Sequence, residues 1–474
     1  MKIKKTYVNI AIIDCILFVL LLLLGLEITF GLALIVWINL LVYSVMDIQE
    51  RGIFFGFLIC FFTFLMGRQA LEYFGLHDVE TIFPDIIEAK TDFLILMALI
   101  GVFLGYIIFS NVKFRDRNKL LNSGGVNDSL IQTVKKVSKI CFIISFPFAL
   151  LTLAEQIVFV NTMGYYASYV AYSSQLPGVV LRLGSMNKIF FFLFLGCLPS
   201  KKETSFPIVL YGIYLISILF TGHRYDCIGG ILILVVYYIL RNKLSNEEEK
   251  WIGRKEVLIL AIGAGVLVVV ANIVAVTRFG GNASVSSSGF LTEFLYQQGV
   301  SIKVIKRYLE YKSSLPSGKL YFLGSTLSYL SQSIPGRLIG MATYGGNSVE
   351  TARNGYYLAH ALSYQAMGNQ YLSGAGMGSS YIAEIHYSFG SIGVFLGSIL
   401  YGVMLKKMFV LRESHVWWNA AVLVMLNAVF FSPRSSFDGF LGDLINVNTW
   451  GTFLIVFIVS SLLHSNYSGK SVHQ

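Results

Sequence analysis

The sequence predicts a polytopic all-α membrane protein of about twelve spans, and three observations predict it. Charged residues make up 13% of the 474 and hydrophobic residues 55%, whereas soluble domains carry about 25% charged residues. Mean hydropathy is +0.68. Apolar runs long enough to cross about 30 Å of hydrocarbon as a helix recur along the chain, at residues 8–25, 27–46, 53–72, 92–111, 140–160, 183–200, 206–222, 226–241, 256–277, 382–405, 416–432 and 448–464.

The first run follows "MKIKK" without a small-residue cleavage site and is succeeded at once by a second span, so it reads as a retained anchor. Segment 112–139, with seven basic residues and a Gly-Asn-Ser centre, reads as a connection and as the hinge between two halves. The sixth run starts among Arg182 and Lys188. Three regions follow within one integrated membrane domain: nine spans with short loops over 1–277, a large loop over 278–381, and three spans with a tail over 382–474. The loop is not a linker, because Phe290, Leu291, Phe294, Leu295, Ile302, Ile305 and Leu309 recur at helical spacing. Amphipathic helices on the outer leaflet are expected there, one of them in "GSTLSYLSQSI".

A net charge of +10 suggests nucleic acid until its distribution is read. If the N-terminus is cytoplasmic, 22 of the 36 basic residues fall in short inside segments. That predicts cytoplasmic N- and C-termini and an extracytoplasmic large loop, with no nucleic acid partner. The five cysteines have no metal-ligand spacing and their number is odd, so neither a disulfide framework nor a metal site is expected.

Polar residues at span ends carry the chemistry. "LISILFTGHRYDCIGGILILVVYYIL" places His223, Arg224 and Asp226 between two apolar runs. Either Arg224 snorkels to lipid phosphates, or it faces the bundle and holds an anion. Arg278 in "AVTRFGGN" and Arg434 in "FFSPRSSFDGF" emerge at the same face, where the positive-inside tendency disfavours them. Together they suggest a clamp for a pyrophosphate-sized anion. Arg337 and Arg353 lie in the large loop, as exposed residues or as further anion contacts, and Tyr356 and Tyr357 offer faces for sugar stacking. Glu384 at the start of the tenth run and His360 in "NGYYLAHALSYQ" are either internally satisfied or acid/base groups. Gly374, Gly376 and Gly378 permit a tight turn at re-entry, and Gly390, Gly393, Gly397 and Gly402 permit close helix packing.

"GAGMGSSYIAEIHYSFGSIGVFLGSILYGVML" is similar to the Gly-rich, Ser-Ser-Tyr-x-x-Glu, Phe-Gly segment of the Wzy-type polymerases of O-antigen and capsule repeat units. "TGHRYD" resembles their Gly-x-Arg external hairpin, and the span count and late loop resemble their architecture. The family's Arg with Gly eleven residues on is met by Arg278 and Gly289 but not by Arg224, which has Val235 there. The resemblance implies a bacterial cytoplasmic (inner) membrane enzyme without cofactor. It implies a glycosyltransferase that moves a growing glycan from undecaprenyl pyrophosphate to the next lipid-linked repeat unit. Arg224, Arg278 and Arg434 would neutralise the leaving pyrophosphate without a metal. His223, Asp226, His360 or Glu384 would be the base. Its partners would be undecaprenyl-pyrophosphate-linked oligosaccharides, membrane lipid, a chain-length regulator and a flippase. A flippase or transporter needs the same cations but shorter loops, and a lipid-linked glycan ligase shares the donor, so both stay open. A membrane O-acyltransferase fits less well.

Overall fold

A computed structural model describes residues 2–108, 126–244, 249–256, 258, 263, 265, 289–412 and 415–470. Among these residues every regular element is helical, which the absence of water in a bilayer requires of spans that are not barrels. Ten described helices are long and apolar enough to cross a membrane. They correspond to the second to eighth and the tenth to twelfth runs. The first run lies in α1 (Lys2–Leu23), and most of the ninth, together with Arg278, lies outside the described residues.

The spans are α2 (Ile28–Val45), α3 (Ile48–Leu65), α5 (Asp85–Ile108), α6 (Val126–Met163), α7 (Gly178–Gly196), α8 (Lys201–Leu219), α9 (Arg224–Leu244), the long helix Tyr381–Lys407, Val416–Phe431 and Val447–Lys470. Their ends are locally encoded. Glu27 caps α2 by accepting from the amides of Thr29 and Phe30, and Ser200 with Glu203 forms a reciprocal box at the start of α8. The third run does not continue to residue 72. It breaks at Met66 and restarts as α4 (Gly67–Tyr73). In the basic segment 112–139, residues from Val126 onward are helix rather than connection, and the proposed hinge centre falls outside the described residues.

Small residues set one of the tightest helix contacts. A Cβ on Gly105 would lie 1.9 Å from the Ile399 carbonyl oxygen, and one on Gly402 would lie 2.0 Å from that of Val102. α5 and the tenth-run helix therefore touch backbone to backbone, as small-residue packing allows in membranes.

The tenth run is not straight. Gly390 has φ +65°, and there the chain reverses, so that Tyr381–Phe389 lies back along Ser391–Lys407. Ile385 Cδ1 would be 2.5 Å from a Cβ on Gly397, and the Tyr381 and Ser398 hydroxyls are 3.2 Å apart. In an unbroken helix, residues so spaced stand roughly 18 Å or more apart. The crossing portion thus starts at Ser391, nine residues later than the expected boundary at 382, because only a residue without Cβ adopts that reversal cheaply. Gly393 and Gly397 accommodate this fold-back, while Gly402 meets α5.

The connections separate into two faces. One gathers residues 66–84, 164–177, 220–223, most of 289–380 and 432–438. It is tied by Arg68–Glu80, Lys303–Glu80 and Arg224–Gln297 contacts. The opposite face is tied by Lys243–Glu50, Lys135–Glu203 and Lys201–Glu256. The large loop folds into short helices: α10 (Phe290–Gln298), α11 (Ile302–Tyr311), α12 (Gly324–Gln332), α13 (Ile334–Leu338), α14 (Val349–Asn354) and α15 (Leu358–Met367). The apolar face of α11 meets protein rather than a leaflet, since Ile302, Val304, Ile305 and Tyr308 are all buried. Ile334, Leu338 and Ile339 at α13 remain exposed.

Candidate functional site

Two spans deliver arginines to one loop helix. At the α8–α9 turn Gly222 has φ +84°, the Thr221 hydroxyl is 3.0 Å from His223 Nδ1, and Arg224 becomes the first residue of α9. Its Nη1 donates to Gln297 Oε1 at 3.2 Å. The penultimate span ends at Phe431 and passes through the 3-10 turn Ser432–Arg434, set by Pro433. Arg434 Nη1 donates to Gln298 Oε1 at 3.0 Å, and its guanidinium lies 5.0 Å from the centre of the Phe64 ring. Residues 224 and 434, far apart in sequence, thus meet neighbouring side chains of α10.

α10 is held by a network of contacts. Arg68, buried at the restart after Met66, donates from Nη2 to the Tyr296 hydroxyl at 2.6 Å and stacks 3.8 Å over its ring. The same guanidinium pairs with Glu72 at 3.2 Å and Glu80 at 2.7 Å. His77 stacks on Tyr296 at 3.3 Å and approaches Glu293 to 3.5 Å, while Gln297 Nε2 donates to Glu293 at 2.6 Å. Burial raises the Glu80 carboxyl, but the Arg68 and Lys303 charges outweigh that and hold it below its ordinary value. Burial lowers the Lys303 ammonium and pushes the Tyr296 phenol up.

His223 and Asp226 face a second feature, a cavity of about 350 Å³ between α6, α7, α8 and α9 that Lys188, Tyr211 and Tyr214 also line. A smaller cavity of about 160 Å³ shares Lys188 and is lined by Asp443, Asn446 and Asn448.

The remaining predicted residues are dispersed. Glu384 is fully buried on the fold-back segment; it accepts from the Ser379 hydroxyl at 2.7 Å and the Phe437 amide at 2.9 Å. Asp438, 1% exposed, accepts from the amides of Ser325 and Thr326. Together they fasten the 432–438 turn to α12 and to the fold-back. His360 Nδ1 lies 2.9 Å from the Tyr371 hydroxyl, and burial lowers its pKa. The Tyr356 hydroxyl donates to the Ala342 carbonyl, with Tyr344 5.7 Å away ring to ring, and Tyr357 is 6.3 Å from the His360 ring. Arg337 and Arg353 are exposed. Sequence reading missed Arg68, Lys188, Gln297 and Gln298. A charge inside the third and the sixth apolar runs was the available signal for the first two; two adjacent glutamines on an amphipathic helix carry no comparable signal.

The model of the O-antigen polysaccharide polymerase Wzy family matches residues 6–466, nearly the whole chain. The chain belongs to the Wzy family. No curated protein and no solved structure matches it. A Wzy polymerase joins O-antigen repeat units and acts on lipid-linked oligosaccharides in a membrane. In this Wzy chain Arg224 and Arg434 bring two planar, multi-donor guanidinium groups to adjacent residues of one loop helix.

Proposed function

We propose that the chain transfers a growing glycan from undecaprenyl pyrophosphate to the non-reducing end of the next lipid-linked repeat unit. The face carrying the large loop is the extracytoplasmic face of a bacterial inner membrane, and both termini are cytoplasmic. The observation that carries this reading is the docking of Arg224 and Arg434 on the consecutive Gln297 and Gln298. In the reaction the acceptor hydroxyl oxygen bonds the anomeric carbon, the bond from that carbon to the pyrophosphate oxygen breaks, and its electron pair leaves with undecaprenyl pyrophosphate. Arg224 and Arg434 meet the charge that grows on that leaving group, and Asp226 takes the hydroxyl proton. Arg278 is a third candidate for the clamp. Arg337, Arg353, Tyr356 and Tyr357, on the loop above, contact the glycan. Glu384 and His360 are better suited to holding the loop, since each already has an internal hydrogen-bond partner.

Purified protein given a defined undecaprenyl-pyrophosphate repeat unit in EDTA tests the reading on a product gel. Wild type is expected to form a ladder of polymer lengths. Arg224→Lys and Arg434→Lys keep the charge but lose the two-pronged geometry, and turnover is expected to fall about 100-fold, the scale of losing one donor aimed at developing charge. A ladder unchanged in both variants would remove the clamp. No ladder, with the same lipid crossing proteoliposomes, would make the chain a flippase.

A further inference from the structure

We propose that the cavity lined by Lys188, Tyr211, Tyr214, His223, Asp226 and Gln156 binds an uncharged sugar ring, and that this ring is the acceptor end of the incoming repeat unit. The assignment of the ring as acceptor rests on the polymerase reading above; the binding of a sugar does not.

Four observations carry the inference. The volume, about 350 Å³, is at the lower end of the range for small-molecule sites and suits one ring rather than an oligosaccharide. The lining mixes an aromatic face with hydrogen-bonding groups: the partly exposed Tyr214 ring is backed by Tyr211 at 6.0 Å, and Gln156, Thr221, Lys188 and Asp226 supply donors and acceptors. Such a mixture of flat apolar surface and convergent polar groups is what a ring of hydroxyls over a C–H face requires.

Third, the Tyr211 side chain is fully buried, yet its hydroxyl has no hydrogen-bond partner among the described residues. A buried hydroxyl is destabilising until something bonds it, and a small rotation of the Tyr211 side chain towards the cavity it lines would bring this one to a sugar hydroxyl. Fourth, the charge selects against anions. Lys188 lines this cavity and the adjoining one, with Asp226 on one wall and Asp443 on the other. With His223 neutral, two carboxylates facing one ammonium leave no excess positive charge for a phosphate or a uronate, in contrast with the two arginines on α10. The two sites therefore divide the substrate chemistry: the anionic head at Arg224 and Arg434, the neutral ring at Lys188. Asp226 sits two residues from Arg224 on α9, which places a proton acceptor beside the ring and next to the clamp.

The test uses the full chain in nanodiscs and, as probe, the repeat-unit oligosaccharide released by mild acid from the cell's own lipid carrier, free of lipid and pyrophosphate. Wild type is expected to bind it, measured by saturation-transfer NMR and titration. Lys188→Met and Tyr211→Phe should each weaken binding about three- to tenfold, the scale of one hydrogen bond, while Arg434→Lys leaves it within twofold. Oxidising the probe's primary hydroxyls to carboxylates should weaken binding by about tenfold or more through repulsion from Asp226 and Asp443. Tyr211→Phe removes one oxygen and preserves the ring, so it keeps the fold available if Lys188→Met does not. Wild-type affinity retained in Tyr211→Phe, with only a rise in melting temperature, would make the hydroxyl a packing defect and overturn the site. Absence of binding by wild type would do the same. Binding that depends on Tyr211 in a protein that forms no ladder would keep the sugar site and reject the polymerase reading.

Discussion

Two pairs of carboxylates lie towards the same face of this protein and have opposite surroundings. Glu384 and Asp438 are shut away from solvent, and their oxygens take backbone amides and a hydroxyl. Asp226 and Asp443 are only partly buried and sit on the walls of cavities beside Lys188. The difference teaches how to sort acidic residues at a membrane boundary. A carboxylate whose lone pairs are taken by the chain's own N–H groups holds loops together, whereas one that faces a void next to a cation is available to a ligand.

The comparison breaks most visibly at Asp438. Asp438→Ala strands the amides of Ser325 and Thr326, and a loss of about 1–3 kcal/mol of stability is expected from two partly buried donors left unmatched. A melting temperature in detergent equal to wild type would dissolve the distinction. Asp226→Asn tests the other pair. Its melting temperature should stay close to that of wild type while polymer formation falls by about 100-fold, as for loss of a general base. A variant that instead melts early with its activity per folded molecule intact would move Asp226 into the same class as Asp438.

His360 sharpens the contrast through pH. Its pKa is lowered by burial, so folding favours the neutral ring. The stability it supports is present above the ordinary histidine pKa of about 6.5 and is lost as pH falls below it. His360→Gln cannot charge, so the gap in melting temperature between wild type and variant should narrow or invert from pH 7.5 to pH 5. A pH-independent gap would contradict the neutral, Tyr371-bonded ring. The smallest effects are expected at Arg337 and Arg353, which are exposed. Changing either to alanine should alter stability by no more than about 0.5 kcal/mol, and any fall in polymer length would then report contact with glycan rather than folding.

Most spans were legible because a helix that must satisfy its own backbone in lipid has a length set by the bilayer, and both requirements leave a mark in composition. The fold-back at Gly390 left none: Tyr381–Lys407 reads as one apolar helix, and a single positive φ divides it. Arg224 and Arg434 were legible as cations at disfavoured span ends, but nothing in "YQQ" announced that Gln297 and Gln298 would receive them. Glu384 was visible as a polar residue in an apolar run. Its partner, the Phe437 amide, is 53 residues away, and only packing brings the two together.

By itself, then, the sequence determined that the chain is helical, membrane-spanning and cationic at selected span ends, because these properties depend on residue type and spacing along one element. Only the tertiary structure decided which arginines share a helix, which carboxylates are satisfied by backbone, and that Lys188 stands between two cavities. Those outcomes depend on which elements become neighbours. Lipid is nearly indifferent among apolar pairings, so a few glycine contacts and polar bonds choose them.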